Sequence, residues 1–362
     1  MTIIFNQSKK YRDLSLMDIV QLTEEQAWNK FKSIRWGHGD ETRCPYCMEW
    51  GRHGFIKTRK IWNCRYCPMQ FSVTTGTPFE KHKLSLVKLM VIVFFFASEH
   101  QGLSANTFHT QFGSTLKTIF HNVSKIREAL YETNDLSPLT GIVHIDCAHF
   151  CGKPRRSNIR KTTDSYVINN RLRNRKDSIV PDLSTHPEPE NRRKYKNRRI
   201  LLTMSQCNTS AIGSIGSNRT ICYVIKNEKA SSIIPLIKRH VSKDAIIMTD
   251  FGSAFKSIFI ETGIRHFAVN HSEEYMSKNG VNNNMAEAFF SRMRRAEFGT
   301  YNGMRPQYFA FYSAEFAWRQ DSKDLTLNEK FNDILKRMLS REPSKAFTNY
   351  NHGSRLGIEY VS

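Results

Sequence analysis

Two C-x-x-C pairs constrain the fold of this chain more than any other feature of its sequence. Cys44 and Cys47 form the first pair, and Cys64 and Cys67 form the second after 16 intervening residues. Each pair bends the backbone so that two sulfurs face one point, and this spacing is typical of a zinc ribbon. A chance recurrence is disfavoured by the aromatic and polar turn residues around both pairs. We therefore predict one structural Zn²⁺ bound by four thiolates.

The charge of the chain predicts a polyanionic partner. Its 362 residues include 54 Lys+Arg and 33 Asp+Glu, a formal net charge of +21. Nucleic acid is the first interpretation, and a basic ribosomal or membrane-surface protein is the alternative. Because the sequence shows no secretory signal and no apolar stretch near the roughly 20 residues that span a bilayer, we expect a cytoplasmic protein without membrane contact.

Changes in composition and periodicity divide the chain into five segments. These are a helical lead-in at 1–40, the zinc ribbon at 41–80, a helix-turn-helix-like region at 81–135, an α/β domain at 138–325 with a basic insertion at 151–199, and a C-terminal tail at 326–362. In the third segment, predicted helices at 104–112 and 114–130 flank Gly113. Lys117 and Lys125 lie off the apolar stripe of the second helix, as do His121, Asn122 and Arg127, and we predict that these two lysines contact DNA. A helical spacer is the alternative for this region.

The fourth segment has the pattern of a mixed α/β sheet. Short apolar runs predict strands at 141–146, 199–205, 220–225, 245–249 and 266–269. Helical periodicity occurs at 231–240, 252–262, 285–298 and 307–319. Strands that alternate with helices in this order indicate a mixed sheet with flanking helices.

Three acidic residues are candidates for a divalent metal site in this domain. Asp146 and Asp250 each end a predicted strand, and on adjacent strands their carboxylates would converge. Glu287 follows Asp250 after 36 residues and shares a polar helix stripe with Ser291 and Arg294. Either aspartate alone would more often be a cap or a turn residue, and Glu287 alone a solvated charge.

Taken together, these residues resemble the DDE triad of insertion-sequence transposases of the Merlin-related, ISXO-type family. The spacing of Asp250 and Glu287, the position of Arg294 and the sequences at 70–77, 269–272 and 290–292 carry the resemblance, which extends over almost the whole chain. It implies a ribonuclease H-like catalytic domain that uses Mg²⁺ or Mn²⁺ for two-metal-ion cleavage and strand transfer. It also implies double-stranded DNA partners, namely terminal inverted repeats and target DNA, with a homodimer or higher oligomer assembled on them near the nucleoid.

Two departures from the family bear on the site. The Glu-Thr that often follows the first Asp is Cys147 and Ala148 in this chain, so an auxiliary role of that Glu is absent. Some relatives have Asn as the third catalytic letter, and Asn284 stands one turn before Glu287. We favour Glu287 because a carboxylate binds a hard cation more strongly than an amide does. Of the histidines nearby, we single out only His271 as a candidate to line the site.

The basic insertion supplies the remaining candidate DNA contacts. They are Arg192, Arg193, Lys194, Lys196, Arg198 and Arg199. Such a run is often a solvated face, but a partner polyanion makes phosphate contact the favoured interpretation. We expect a DNA transposase. The rivals are a domesticated, non-catalytic zinc-ribbon regulator, which should have lost at least one acid, and a ribonuclease H-like nuclease.

Overall fold

The computed structural model describes residues 5, 8–151, 198–207, 217–250, 252–269 and 284–347. Cα proximity divides the chain into two units, one formed by Met1–Ser137, Ser205–Ile221 and Phe311–Arg355 and the other by Pro138–Met204, Cys222–Ala310 and Leu356–Ser362. Within the described ranges, no helix is both long enough and apolar enough to span a membrane.

The regular elements follow one another in this order. The helices are α1 (Leu16–Val20), α2 (Glu24–Trp36), α3 (Leu86–Ser98), α4 (Ala105–Phe112), α5 (Leu116–Glu132), α6 (Ala230–His240), α7 (Ile258–Thr262), α8 (Asn284–Arg295), α9 (Phe309–Asp321) and α10 (Leu327–Leu339). The strands are β1 (Thr42–Arg43), β2 (Trp50–Gly51), β3 (Gly54–Ile56), β4 (Ile61–Asn63), β5 (Gln70–Ser72), β6 (Ile142–Phe150), β7 (Arg199–Cys207), β8 (Ser217–Ile225), β9 (Ile246–Asp250) and β10 (Arg265–Val269).

The zinc-ribbon segment consists of two small antiparallel sheets, of which the three-stranded one packs on α2. One sheet pairs β1 with β2, and the other has the order β3-β4-β5. Helix α2 begins with a capping box, in which Thr23 accepts from the Gln26 N–H and Gln26 accepts from the Thr23 N–H. Trp62 of β4 is buried and stacks 5.4 Å from Trp28 of α2, so an aromatic core joins helix and ribbon.

Helix α3 is the centre of the first unit, because nine of its thirteen residues are buried. It packs against α2, α5 and α10, which is why its sequence is apolar on all sides. Helix α10 lies in the segment that the sequence analysis treats as a C-terminal tail, and its apolar stripe joins the same core. The structure corrects one assignment on α5: Arg127, placed off the apolar stripe, is buried, because Glu315 supplies its countercharge 2.6 Å away.

The α/β domain contains a five-stranded sheet in the order β10-β9-β6-β7-β8. The central strand β6 and the strand β10 both run parallel to β9. All five predicted strands are present, and β6 extends to Phe150, four residues beyond its predicted end. A zinc-ribbon segment followed by an α/β domain is therefore confirmed.

Two predicted helices in this domain differ from the structure. The helix expected at 252–262 is broken into a 3₁₀ turn at Ser253–Phe255 and α7. The helix expected at 285–298 is α8, which gives way at Ala296–Thr300 to a π turn. In that turn, the buried carboxylate of Glu297 accepts from the Cys151 N–H at 2.8 Å, a contact that links two distant parts of the sequence.

Candidate active site and zinc centre

The four predicted zinc ligands meet at one point of the ribbon. Among the residues that the structure describes, only the ligand atoms of Cys44, Cys47, Cys64 and Cys67 all lie within 4.8 Å of one another. Sγ of Cys44 lies 3.8 Å from that of Cys67, and Sγ of Cys47 lies 3.6 Å from that of Cys64. A tetrahedral ion with Zn–S bonds of about 2.3 Å requires S···S separations of about 3.8 Å. The four thiols therefore fit a structural Zn²⁺.

Backbone donors favour the thiolate form at this centre. The Tyr46 N–H donates to Sγ of Cys44 at 3.5 Å, and the Tyr66 N–H donates to Sγ of Cys64 at 3.3 Å. Desolvation alone would raise the pKa of Cys64, but the N–H groups of Tyr66 and Cys67 contribute to lowering that pKa to about 7. Burial raises the pKa of Cys44 to about 12, so zinc binding, which requires the thiolate, releases a proton from that thiol.

The parallel pairing of β6 with β9 aligns two of the predicted acids. His144 is paired with Met248 in this register, and two residues further along both strands lie Asp146 and Asp250. Each carboxylate is fixed locally: Asp146 accepts from the Cys147 N–H at 2.7 Å, and Asp250 accepts from the Gly252 N–H at 3.2 Å. The side chains are thus held by the backbone at the same level of the sheet.

Helix α8 runs alongside β6 and carries the third acid. The Met285 N–H donates to Nδ1 of His144 at 3.4 Å, and the rings of Phe290 and Phe150 lie 6.0 Å apart. Glu287 stands between these two contacts on the exposed face of the helix. As predicted, the opposite face is buried; it consists of Ala286, Phe289, Phe290 and Met293.

The charges of the neighbouring acids act on Asp146. Burial, the charge of Asp250 and the charges of Glu287 and Glu228 raise the pKa of Asp146 to about 7. Carboxylates gathered in this way repel one another, and a divalent cation relieves that repulsion with the oxygen ligands that Mg²⁺ and Mn²⁺ prefer. The residues present therefore fit such an ion, although their oxygens do not reach the mutual proximity of the zinc-ribbon sulfurs.

The other predicted catalytic residues lie at two different ends of α8. Asn284 is the exposed first residue, one turn before Glu287. Arg294 lies about two turns beyond Glu287, with its guanidinium 5.8 Å from the centre of the Phe150 ring. Desolvation is the main cause that lowers the pKa of His149. The positive charges of Arg198 and Arg294 lower this pKa further.

The remaining predicted DNA contacts differ in their accessibility. Lys117 is exposed on α5, whereas the Lys125 ammonium donates to the Pro78 carbonyl at 2.8 Å and is partly buried. Arg198 is exposed and Arg199 begins β7. Arg192, Arg193, Lys194 and Lys196 lie outside the described residues, and so does His271, the candidate to line the acidic site.

The structure adds one acid that the sequence analysis missed. Glu228 accepts from Nε2 of His149 at 3.1 Å, and it raises the pKa of both Asp146 and Cys147. Its signal in the sequence is weak, since it is a single acid three residues after a strand. Because β6 and β8 belong to one sheet, Glu228 comes near the candidate site from a distant part of the chain.

Comparison with known proteins gives matches in both parts of the chain. Residues 138–321, just over half of the chain, match the family described as ISXO2-like transposase domain. Residues 22–70 match a transposase zinc-ribbon domain. A Haemophilus influenzae protein described as an uncharacterized transposase-like protein is 24% identical over 102 residues, which are 28% of this chain and 80% of that protein.

Proposed function

Because this chain belongs to the ISXO2-like transposase family, we propose that it cleaves DNA at the ends of an insertion sequence and joins those ends to target DNA. The observation that carries the proposal is the alignment of Asp146 with Asp250 beside Glu287. We assign residues 138–325 to a ribonuclease H-like catalytic domain, since a sheet with an acid on each of two parallel strands and a third on a flanking helix suits that fold.

In this mechanism the three carboxylates hold Mg²⁺ or Mn²⁺, which when bound supplies the Lewis acidity that phosphoryl transfer between DNA oxygens requires. The chain's own residues contribute by holding the three carboxylates in position. The Cys147 and Gly252 N–H groups hold Asp146 and Asp250 in fixed rotamers, so little reorganisation is needed when DNA arrives. Neutral His144, whose pKa burial lowers to about 4, anchors the start of α8 and thereby Glu287.

Two arginines supply the positive charge of this site. Arg198 and Arg294 both place positive charge near His149, which pairs with Glu228 at 3.1 Å. Guanidinium groups bind phosphate in a bidentate manner, and we assign to this pair the DNA phosphates next to the scissile bond. The zinc ribbon and the helices α4 and α5 would recognise the inverted repeats, within a dimer or higher oligomer on DNA.

The test of the catalytic assignment is Glu287→Gln. This change keeps the volume and the helix but removes a charge that binds the cation, so we expect normal DNA-end binding and a loss of cleavage and strand transfer of about 10³-fold or more. Asn284→Ala removes at most a hydrogen bond worth about 1 kcal/mol, and we expect a loss of about fivefold. The measurement is strand transfer of a pre-cleaved end in Mg²⁺ and, separately, in Mn²⁺.

Glu261→Gln is the matched control, because Glu261 is exposed on α7 in the same unit. It should leave both reactions unchanged. Near-normal activity of Glu287→Gln together with an inactive Asn284→Ala would move the third position to Asn284. A non-catalytic regulator has no specific observation in its favour, since the chain retains all three acids.

A further inference from the structure

Aromatic and thioether side chains are exposed around the two C-x-x-C pairs. Tyr46, Trp50 and Tyr66 expose 49%, 50% and 58% of their surface, and Met48 and Met69 are exposed to a similar extent. Each of the five lies within three residues of a zinc-ribbon cysteine. We call these five side chains the knuckle surface.

The ribbon does not use these rings for its own core. That core is formed by other aromatic residues, among which Trp62 stacks 5.6 Å from Phe71. Tyr46 and Trp50 contact no ring in the part of the chain that the structure describes, and Tyr66 makes an edge contact with His53 at 5.9 Å. Because exposed aromatic surface is unfavourable in water, its concentration here indicates a binding surface.

Hydrogen bonds hold the backbone of Tyr46 and Tyr66 in place. Both tyrosines occupy the same position of their C-x-x-C pairs, and each donates its N–H to the first cysteine of its pair. The Tyr66 ring also lies over Gly51, where an added Cβ would come within 3.1 Å of it. Because the Tyr66 ring is already packed in this way, it loses little side-chain entropy when it binds a flat partner.

The surroundings of the knuckle surface are basic. Between positions 41 and 70 there are six Lys+Arg and two Asp+Glu, a balance of +4. Arg52, Arg59 and Arg65 are exposed, and within the described ranges none of them forms an ion pair. A partner with negative charge and flat apolar faces would complement both properties.

We propose that the knuckle surface binds DNA with unpaired bases, which stack on Tyr46, Trp50 and Tyr66 while the arginines contact phosphates. In a duplex the base faces are already covered by neighbouring bases, so these rings would have nothing flat to contact. An uncharged apolar protein surface would not account for the positive charge. This proposal rests on the proposed function for its biological context. In that context, the unpaired bases belong to a single-stranded tail at the DNA end.

The test uses the full-length, zinc-loaded protein without Mg²⁺ and two probes, a twelve-nucleotide oligothymidylate and a blunt duplex. Tyr46→Ala and Trp50→Ala should each weaken oligothymidylate binding by about 5- to 100-fold and change duplex binding by less than about twofold. Tyr46→Phe should retain oligothymidylate binding, because stacking requires the ring and not the hydroxyl. Oligothymidylate binding should also quench part of the tryptophan fluorescence of the unaltered protein. This part of the quenching should be absent in Trp50→Phe.

Zinc content of one ion per chain in each variant excludes unfolding as the cause of any loss. The proposal is overturned if the alanine variants bind oligothymidylate normally, if they lose duplex binding equally, or if they change only the self-association of the protein. Glu261→Gln, the exposed control on α7, should bind oligothymidylate normally. Oligothymidylate binding without any DNA cleavage by the unaltered protein would refute the proposed function and leave this proposal standing.

Discussion

Glu315 is fully buried and owes its charge to two arginines. Its carboxylate accepts from Nε of Arg127 at 2.6 Å and from Nη2 of Arg319 at 2.7 Å. Burial opposes ionisation, but the two positive charges hold the pKa of Glu315 below its usual value. Arg319 also donates to the carbonyls of Phe96 and Glu99 at the end of α3. One carboxylate thus connects three helices of the first unit.

Removing that charge should destabilise the first unit strongly. Glu315→Gln leaves two buried guanidinium groups without a countercharge, and we expect the free energy of unfolding to fall by about 3 to 5 kcal/mol. Urea denaturation of the zinc-loaded protein measures it. Glu342→Gln is the control, since Glu342 is 78% exposed and should change stability by less than about 0.5 kcal/mol. A loss below about 1 kcal/mol for Glu315→Gln would contradict this account.

The buried carboxyl group of Asp321 should make the stability of the folded protein depend on pH. Burial raises its pKa to about 6, although Thr220 donates both its N–H and its hydroxyl to the carboxylate. An unfolded Asp has a pKa of about 3.9, so the folded state binds the proton more tightly. The stabilisation is therefore fully present below about pH 4 and is lost as the pH rises through about 6.

We expect the stability of the unaltered protein, measured relative to Asp321→Asn, to fall by about 1 kcal/mol between pH 5 and pH 7. Urea unfolding at both pH values measures this difference. The exposed Asp324 supplies the control, because Asp324→Asn should show no such trend. A difference between the unaltered protein and Asp321→Asn that is constant with pH would refute the assignment.

At the scale of elements, local sequence patterns predicted several helices and strands. The features that were missed depend mostly on contacts between residues far apart in the sequence. The two C-x-x-C pairs, the five strands of the large sheet and the polar stripe of α8 are local patterns, and all three were predicted. Arg127 was assigned to the wrong face because Glu315 lies 188 residues away. The π turn after α8 was missed for the same reason, since Glu297 accepts from an N–H 146 residues earlier. The short ribbon strands were also missed, because two or three residues carry no periodicity.

The ribbon itself should depend on its metal. Cys64→Ser removes one of four ligands, and because binding free energy is folding free energy at a structural site, we expect zinc release and loss of amide protection in β1–β5. Protection of the sheet around β6 and β9 should persist. Cys222→Ser, outside the cluster, should keep one zinc per chain. Metal analysis and hydrogen exchange measure both effects, and carefully purified protein without zinc would argue against the assignment.

At the scale of the whole molecule, a net charge of +21 makes DNA binding sensitive to salt. We predict that Arg192, Arg193, Lys194 and Lys196, which lie outside the described residues, contact phosphates. Replacing all four by Gln should reduce the slope of log K against log salt concentration by about 0.9 for each lost contact. Titrations at several salt concentrations measure the slope. An unchanged slope would mean that the run is a solvated face.

The division of the first unit among three stretches of chain has a consequence for synthesis. Helix α3 emerges from the ribosome early, but α10, which packs on it, ends about 240 residues later. At a translation rate of about 5 to 20 residues per second, α10 follows α3 after roughly 12 to 50 s. Until then, the part of the apolar surface of α3 that packs on α10 stays uncovered. During this interval the nascent chain is exposed to aggregation and to chaperones, and a product truncated before Phe311 would never bury it. The amount of functional protein in a cell is therefore coupled to completion of translation, at a step that precedes any contact with DNA.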